Sequence, residues 1–425
     1  MALTAFVTDG TERPALAIVR ALGRRGVTVI VGSEERVSLA STSRYCARRV
    51  RYPSPEHDRA GFARFLLDFI EREHVDVVLP VTDVTTHAVC TNQDQIREQA
   101  ALAVPPLDAF ERVSDKGTLL EHAARVGVPI PRTHFVDGLS RLRAHMQGLE
   151  YPVVVKPTRS RIPMAGGWTR GAVHYAYSPA ELLHLYRTVP YLSSHASLVQ
   201  QRIVGPGIGV FVLFNRGRLV CEFGHRRLRE KPPAGGVSVL RESVAVDPEV
   251  REYAVRVLGN LGWHGVAMME FKQDIRTGDL YLMEVNGRFW GSLQLAIDAG
   301  VDFPFLSTQL ALGRLEGGTP TYRTGVKSRW LLGDVDHLCL RLLKRSRTLQ
   351  LPPAAPSRLR TLTAFFKFRQ QGMRYEIERL DDLRPCLHEL RLATRALSGS
   401  ASRLIRGFSR RSPSKVADPA ISRVQ

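Results

Sequence analysis

The stretch Gly265-Val-Ala-Met-Met-Glu-Phe-Lys-Gln-Asp-Ile-Arg-Thr-Gly-Asp-Leu-Tyr-Leu-Met-Glu-Val-Asn-Gly-Arg288 decides the fold. Both of its ends have strand composition, and the segment between them has turn composition. An antiparallel hairpin centred near Thr277 would put Glu270 directly opposite Glu284, since each lies seven residues from the centre. Two carboxylates that face each other across a ladder repel, so such a pair indicates a positive charge between them.

The residues after Glu284 strengthen the case for a metal. Asn286 and Arg288 follow at steps of two, so they share the face of Glu284 if the strand continues. Two carboxylates and an amide oxygen are hard ligands that suit Mg²⁺ rather than Zn²⁺. A cation beside this cluster suggests an anionic ligand such as phosphate. An exposed hairpin with solvated glutamates is the alternative, and this stretch alone leaves both open.

Length and composition indicate a globular protein of two to three domains. The chain has 425 residues, of which 44% are hydrophobic and 24% charged. No apolar run of 18 residues occurs, and an acid at Asp9 argues against a secretory signal. The five cysteines are widely spaced and read as thiols in a reducing compartment. We therefore expect a cytoplasmic location.

The net charge of +19 is concentrated near the end of the chain. Residues 321–425 hold 22 Lys and Arg against 8 Asp and Glu, a surplus of 14. We expect a basic helical region over 319–397 and a disordered tail over 398–425. Such a region could contact nucleic acid or an anionic membrane, although a solvated tail explains the charge equally well.

The first 112 residues predict a Rossmann-like domain. Strand, turn, helix and strand patterns follow one another from Ala5 to Val31. No Gly-x-Gly-x-x-Gly follows the first strand, so a dinucleotide is not indicated. Asp83 stands at the end of a buried strand, where it could contact substrate, but a helix cap is the commoner explanation.

Three features further along could hold phosphate groups. Lys116 lies at the start of a helix whose N-cap would be Ser114, although the helix dipole there favours anions. Lys156 ends a valine-rich strand, and Gly166-Gly167 forms a flexible turn whose backbone N–H groups could cradle oxygens. Solvated lysines and an ordinary hairpin turn are the alternatives.

A basic loop is expected over residues 224–238. It carries His225 and four further basic side chains, and two prolines and two glycines follow them near its end. These four side chains are Arg226, Arg227, Arg229 and Lys231. They would bind anions well, although a solvated connecting loop explains them equally. His225 could act as a general base, but a lone histidine in a loop is more often ordinary surface.

Taken in order, these parts resemble the ATP-grasp superfamily, especially its carboxylate–amine ligases, over roughly residues 1–315. The carriers are Asp115-Lys116, Val155-Lys156-Pro157, Gly166-Gly167, Leu198 to Gly205, Glu270 and Glu284-Val-Asn286-Gly-Arg288. The resemblance implies an α/β (α+β) protein with a Rossmann-like domain at 1–112 and an ATP-grasp domain at 113–318. Within the latter, the lid would span about 130–200 and the metal-binding core about 201–318.

The resemblance also implies roles for single residues. Lys116, Lys156, Gly166 and Gly167 would bind the ATP phosphates. Gln200, Gln201 and Ile203 would line the adenine. Glu270, Glu284 and Asn286 would hold Mg²⁺, for which Mn²⁺ could substitute. Arg288, and Arg226 as a carboxylate clamp, would act in catalysis. The chain departs from the family pattern at Gly205-Pro-Gly207-Ile-Gly209, where many members carry an acid for the ribose.

The implied reaction joins a small carboxylate to an amine through an acyl phosphate, with release of ADP and phosphate. A homodimer is compatible with this reaction. One alternative is an ATP-binding pseudoenzyme or scaffold whose basic tail binds nucleic acid or membrane. Another is phosphoryl transfer without ligation.

Overall fold

The computed structural model describes residues 3–159, 161–164, 167–233, 235–316, 318, 320–346, 348–349, 351 and 355–409. The N-terminal part is a parallel four-stranded sheet flanked by helices, in the order β3-β2-β1-β4. Its strands are short and mostly buried, as the apolar runs predict. The elements are β1 (Thr4–Val7), α1 (Arg13–Gly23), β2 (Thr28–Ser33), β3 (Arg48–Arg51), α2 (Arg59–Glu73), β4 (Val77–Leu79), α3 (Asp83–Thr91), α4 (Gln93–Arg97) and α5 (Leu107–Ser114).

A small second unit has its own hydrophobic core around Leu142, Leu182 and Tyr186. Its antiparallel sheet has the order β5-β10-β6-β9, and β7 and β8 form a separate hairpin. Helix α6 (Lys116–Arg125) precedes this unit and packs in the large cluster shared by the other two units. The elements of the small unit are β5 (Thr133–Val136), α7 (Gly138–His145), β6 (Val153–Pro157), β7 (Arg161–Met164), β8 (Gly167–Arg170), β9 (His174–Ala176), α8 (Pro179–Thr188), α9 (Pro190–Ser194) and β10 (Ser197–Gln201).

The central unit is built around a seven-stranded sheet with the order β15-β14-β11-β12-β13-β16-β17. A short π-helical segment, Val255–Gly259, continues α10. The elements are β11 (Gly207–Asn215), β12 (Arg218–Lys231), β13 (Val237–Val244), α10 (Pro248–Ala254), β14 (Gly265–Gln273), β15 (Leu280–Asn286), α11 (Leu293–Ala299) and α12 (Phe303–Ala311). Two large clusters of buried side chains join this unit to the N-terminal sheet.

The basic loop predicted over 224–238 is wrong for most of its length. Residues up to Lys231 continue β12, and β13 begins at Val237, so only a short turn connects them. The prolines and glycines that suggested a loop all lie in or beside that turn. Because β12 is a strand, its successive side chains point to opposite faces.

The last part of the chain packs against the N-terminal unit and the central unit. It consists of β16 (Lys327–Arg329), α13 (Leu331–Leu343), α14 (Arg358–Phe365), β17 (Met373–Tyr375) and α15 (Arg384–Ser409). Buried Arg20 of α1 forms an ion pair with buried Asp382 at 2.8 Å. The helix α15 continues into the segment predicted to be disordered, and residues 410–425 lie outside the described residues. The α/β class is confirmed, and the domain limits stay predictions.

Candidate active site

The hairpin that opens the sequence analysis forms as predicted. β14 and β15 are antiparallel, and Glu270 lies directly opposite Glu284. Asn286 pairs with Met268, and the register shifts by one residue between Glu270 and Phe271. This bulge does not disturb the pair, because it lies on the turn side of both glutamates. Both side chains are partly shielded, at 17% exposure for Glu270 and 31% for Glu284.

Two lysines from different elements approach Glu284. Lys116 is the first residue of α6, and its Nζ lies 3.4 Å from Glu284 Oε2. Its backbone N–H donates to the Thr158 carbonyl at 2.8 Å, which ties the start of α6 to the end of β6. The N-cap of α6 is Asp115, not Ser114 as predicted, and Asp115 accepts from the next two free N–H groups.

The charges at this point shift one another's pKa. Burial and the neighbouring Lys116 lower the pKa of Lys156 to about 8, against the opposing pull of the two glutamates. Burial would raise the pKa of Glu284, but Lys116 and Lys156 outweigh it and lower that pKa to about 2. Burial raises the pKa of Glu270, and the charge of Glu284 adds to this effect. The pair therefore resists carrying two negative charges without cations.

Arg227 is a site residue that the sequence analysis did not single out from its basic neighbours. Its guanidinium forms an ion pair with Glu270 and lies 3.0 Å from Glu230 Oε1. Only 11% of the side chain is exposed. Burial opposes its charge, but the two glutamates raise its pKa, so Arg227 stays cationic. The strand alternation of β12 would have identified it, had β12 been recognised as a strand.

The glycines of β11 make room for this contact. Gly209 pairs with Glu270 on one side and with His225 on the other. A Cβ on Gly209 would lie 2.7 Å from His225 Nε2, so a side chain there would collide with the imidazole. Packing thus explains the glycine at position 209, within the stretch that lacks the acid found in many members of the family.

His225 is buried rather than at the surface as expected. Its Nδ1 lies 3.4 Å from Ser292 Oγ, and its Nε2 has no hydrogen-bond partner among the described residues. Burial, together with Arg227 and Arg241, lowers its pKa well below the usual value, so the ring is neutral at neutral pH. The same surroundings oppose protonation of the ring, which makes His225 a weak base.

Arg288 closes the other side of the cluster. Its Nη2 donates to Asn286 Oδ1 at 3.1 Å, and Asn286 Nδ2 donates to Glu284 Oε1 at 3.3 Å. Its Nε lies 3.2 Å from Asp83 Oδ1. Asp83 begins α3, and Thr82 rather than Asp83 caps that helix. These contacts form one chain of polar groups from the N-terminal sheet to the carboxylate pair.

The other predicted site residues lie away from the Glu270–Glu284 pair. Arg226 faces away from Glu270, is 56% exposed and pairs with Glu242 at 2.6 Å. Gln200 is buried in β10, where its Nε2 donates to Thr133 Oγ1 at 2.7 Å. Gln201 ends β10, and Ile203 is buried just beyond it. Gly167 begins β8, and Gly166 lies outside the described residues.

The residues present fit a hard divalent cation. Two carboxylates and an amide oxygen stand within one hairpin, and they offer only oxygen ligands. Across the described part of the chain, no group of three or more His, Cys, Asp or Glu side chains has the geometry of a metal site. A metal at this hairpin would therefore need further ligands from a bound molecule, such as phosphate oxygens.

Comparisons with known proteins agree with this geometry. A family model described as "ATP-grasp in the biosynthetic pathway with Ter operon" matches residues 193–333. The L-amino acid ligase from Bacillus licheniformis superposes with a TM-score of 0.55 at 19% identity, over 73% of this chain and 74% of that chain. The biotin carboxylase domain of Hydrogenobacter thermophilus 2-oxoglutarate carboxylase, a dimer solved with MgADP, ADP and bicarbonate, gives 0.61 at 18% identity, over 77% and 73%.

The chain has the ATP-grasp fold. The resemblance drawn from the sequence is thus confirmed, and the division into lid and core stays a prediction. In sequence, the chain is 23% identical over 319 residues to the carbamoyl phosphate synthase large chain of Thermotoga sp. (strain RQ2). The match covers 70% of this chain but only 28% of that protein. The chain therefore spans little more than a quarter of the length of the curated relatives that it matches.

Proposed function

We propose that the protein is an ATP-dependent carboxylate–amine ligase. The observation that carries the proposal is the convergence of Lys116, Lys156 and Arg227 on the Glu270–Glu284 pair, with Arg288 bound to neighbouring Asn286. Each cation comes from a different element, so the fold rather than local sequence assembles them. A surplus of positive charge around two carboxylates suits a triphosphate bound together with a divalent metal.

We assign the binding roles as the family resemblance implies them. Lys116 and Lys156 neutralise the ATP phosphates, and the backbone N–H groups of Gly166 and Gly167 cover these phosphates. Gln200, Gln201 and Ile203 line the adenine. Glu270, Glu284 and Asn286 would hold Mg²⁺, which would supply neutralisation of the phosphate oxygens. Arg227 is paired with Glu270 and so stands beside this ligand set, where it could meet a substrate anion.

The reaction has two steps. An oxygen of the substrate carboxylate attacks the γ-phosphorus of ATP, the bond to the β–γ bridging oxygen breaks, and an acyl phosphate and ADP form. The amine nitrogen then attacks the acyl carbon, phosphate leaves, and the nitrogen loses a proton. The protein contributes positioning and charge neutralisation. Arg288 stabilises the oxyanion, and Arg227 takes the clamp role expected of Arg226, because Arg227 faces the carboxylates. The lowered pKa of buried His225 makes its imidazole a weak proton acceptor, so we assign it no general-base role.

The similar proteins support a C–N ligation rather than another use of ATP. One is an L-amino acid ligase and another a carbamoyl phosphate synthase large chain. Partners of the protein would be a small-molecule carboxylate and an amine. A homodimer stays a prediction, supported by the dimeric biotin carboxylase domain.

The test measures ADP release in mixtures of carboxylates and amines, with the products identified by mass. We expect ADP in equal amounts with an amide product, dependent on both substrates. Glu284→Gln should abolish turnover and keep the fold, while the exposed control Glu252→Gln should change neither. A stable phosphorylated product would instead indicate phosphoryl transfer. Tight MgATP binding without turnover in broad mixtures would favour the pseudoenzyme.

A further inference from the structure

The C-terminal quarter exposes apolar side chains. Leu343, Leu359 and Phe366 are 83, 70 and 60% exposed. Leu343 ends α13, Leu359 lies in the first turn of α14, and Phe366 directly follows α14. Leu359 and Phe366 are seven residues apart, which is two helical turns, so they share a side of the helix. Single exposed leucines are ordinary, but a group of them marks an interaction surface.

Hydrogen bonds join the end of α13 to the start of α14. Arg358 Nη2 donates to the Lys344 carbonyl at 3.1 Å, and the Arg341 guanidinium donates to the Pro356 carbonyl. The end of α13 and the start of α14 are therefore joined. Buried Phe365 anchors the other end, with the Arg329 guanidinium 4.5 Å from the centre of its ring.

Positive charge surrounds the apolar side chains. Residues 341–375 contain nine Lys and Arg and no Asp or Glu. Arg360, Lys367 and Arg369 are exposed beside Leu359 and Phe366 in the chain. We name the surface formed by these three cations with Leu343, Leu359 and Phe366 the α13–α14 face.

We propose that the α13–α14 face docks on an anionic lipid surface. Lipid satisfies both features at once, since the apolar side chains enter the boundary between headgroups and acyl chains while Arg and Lys meet anionic headgroups. A second copy would bring two strongly basic surfaces together. Nucleic acid would meet the charges but leave the leucines in water. Among the described residues, no helix is long and apolar enough to cross a bilayer, so the contact is peripheral.

The test is cosedimentation of the full chain with vesicles. Vesicles of phosphatidylcholine alone are compared with vesicles in which a third of the lipid is phosphatidylglycerol, at low and high salt. Binding is expected only to the anionic vesicles, and salt should weaken it. Each basic residue near such a surface contributes about a fivefold factor, so Arg360→Gln, Lys367→Gln and Arg369→Gln together should weaken binding about a hundredfold.

Two further variants separate the contribution of the apolar side chains from that of overall charge. The triple variant Leu343→Ser, Leu359→Ser and Phe366→Ser should remove the binding that survives high salt. A control with Arg64→Gln, Arg141→Gln and Arg143→Gln removes the same charge from exposed sites elsewhere and should bind as the parent does. Circular dichroism checks that each variant is folded.

Several outcomes would overturn the proposal. These are equal binding to neutral vesicles, no binding to either kind, or a control that loses as much binding as the basic triple variant. Self-association abolished by the Leu and Phe substitutions would assign the face to a second copy. Salt-sensitive binding to nucleic acid without vesicle binding would assign it to nucleic acid.

Discussion

Replacing Arg227 with methionine tests the charge balance of the site. The change removes the cation beside Glu270 but keeps a long apolar side chain. Arg227 is 11% exposed and Glu270 is 17% exposed, so the remaining carboxylate would lose its direct ion-pair partner, with little water to replace it, opposite Glu284. Breaking a buried ion pair on one side costs about 3–5 kcal/mol. Because both groups keep some contact with water, we expect a loss of about 3 kcal/mol in the free energy of unfolding.

Urea unfolding followed by fluorescence measures this loss, since Trp263 and Trp290 are buried in the central unit. Adding Glu270→Gln to the Arg227→Met variant should recover about 2 kcal/mol, because no unpaired charge is left, yet ligase activity should not return. Arg226→Met is the matched control. Its exposed pair with Glu242 is worth at most about 1 kcal/mol. If the two single variants lose equal stability, or if the double variant recovers none, the reasoning is refuted.

Three further predictions concern other positions in the chain. Glu284→Gln should lower turnover about a thousandfold, which is about 4 kcal/mol of activation free energy, in the ADP-release assay. Gly209→Ala should cost about 1–3 kcal/mol of stability in urea, because its Cβ would lie 2.7 Å from His225 Nε2, and a second change of His225→Ala should restore part of it. Burial raises the pKa of Glu389 to about 7 despite a hydrogen bond from Trp330. Between about pH 4.5 and 7 the folded chain therefore holds a proton that the unfolded chain has released, and stability falls as pH rises. Glu389→Gln should remove about 1–2 kcal/mol of that fall in thermal melts at pH 5 and 7.5.

The hairpin was predictable because local information suffices for it. The strand composition, the turn composition and equal counting from Thr277 together fix the Glu270–Glu284 register. The α/β order of the first 112 residues followed in the same way from apolar runs and helical spacing. In both cases the spacing of apolar residues matches the period of the helix or strand, so the local sequence is enough to predict these elements.

The second half of β12, from Gly224 onward, was predicted as a loop because its inward face is polar. Its alternation places His225 and Arg227 inside and Arg226 outside, so a search for alternating apolar residues finds no strand. One residue of register then decides which arginine meets the carboxylates. The packing of the C-terminal part was equally hidden, since Arg20 and Asp382 are paired across 362 positions of the chain. Such contacts depend on the assembled fold.

Lys116 bears on how metal and nucleotide affect each other's binding. Its ammonium lies 3.4 Å from Glu284 Oε2, where it supplies the positive charge that a metal would bring. A bound triphosphate would draw Lys116 toward the phosphates and free Glu284 for the metal. The two ligands should therefore bind cooperatively, with weak metal binding to the protein alone.

Lys116→Met should move the two affinities in opposite directions. Free Mn²⁺, used as a spectroscopic stand-in for Mg²⁺, should bind about tenfold more tightly, since its competitor at Glu284 is gone. ATP should bind more weakly, since a phosphate contact is lost. Titration calorimetry with ATP and paramagnetic resonance with Mn²⁺ measure the two quantities separately. General damage to the site would lower both affinities, so only opposite signs support a lysine that competes with the metal. A parallel fall in both would show that Lys116 merely supports the local structure.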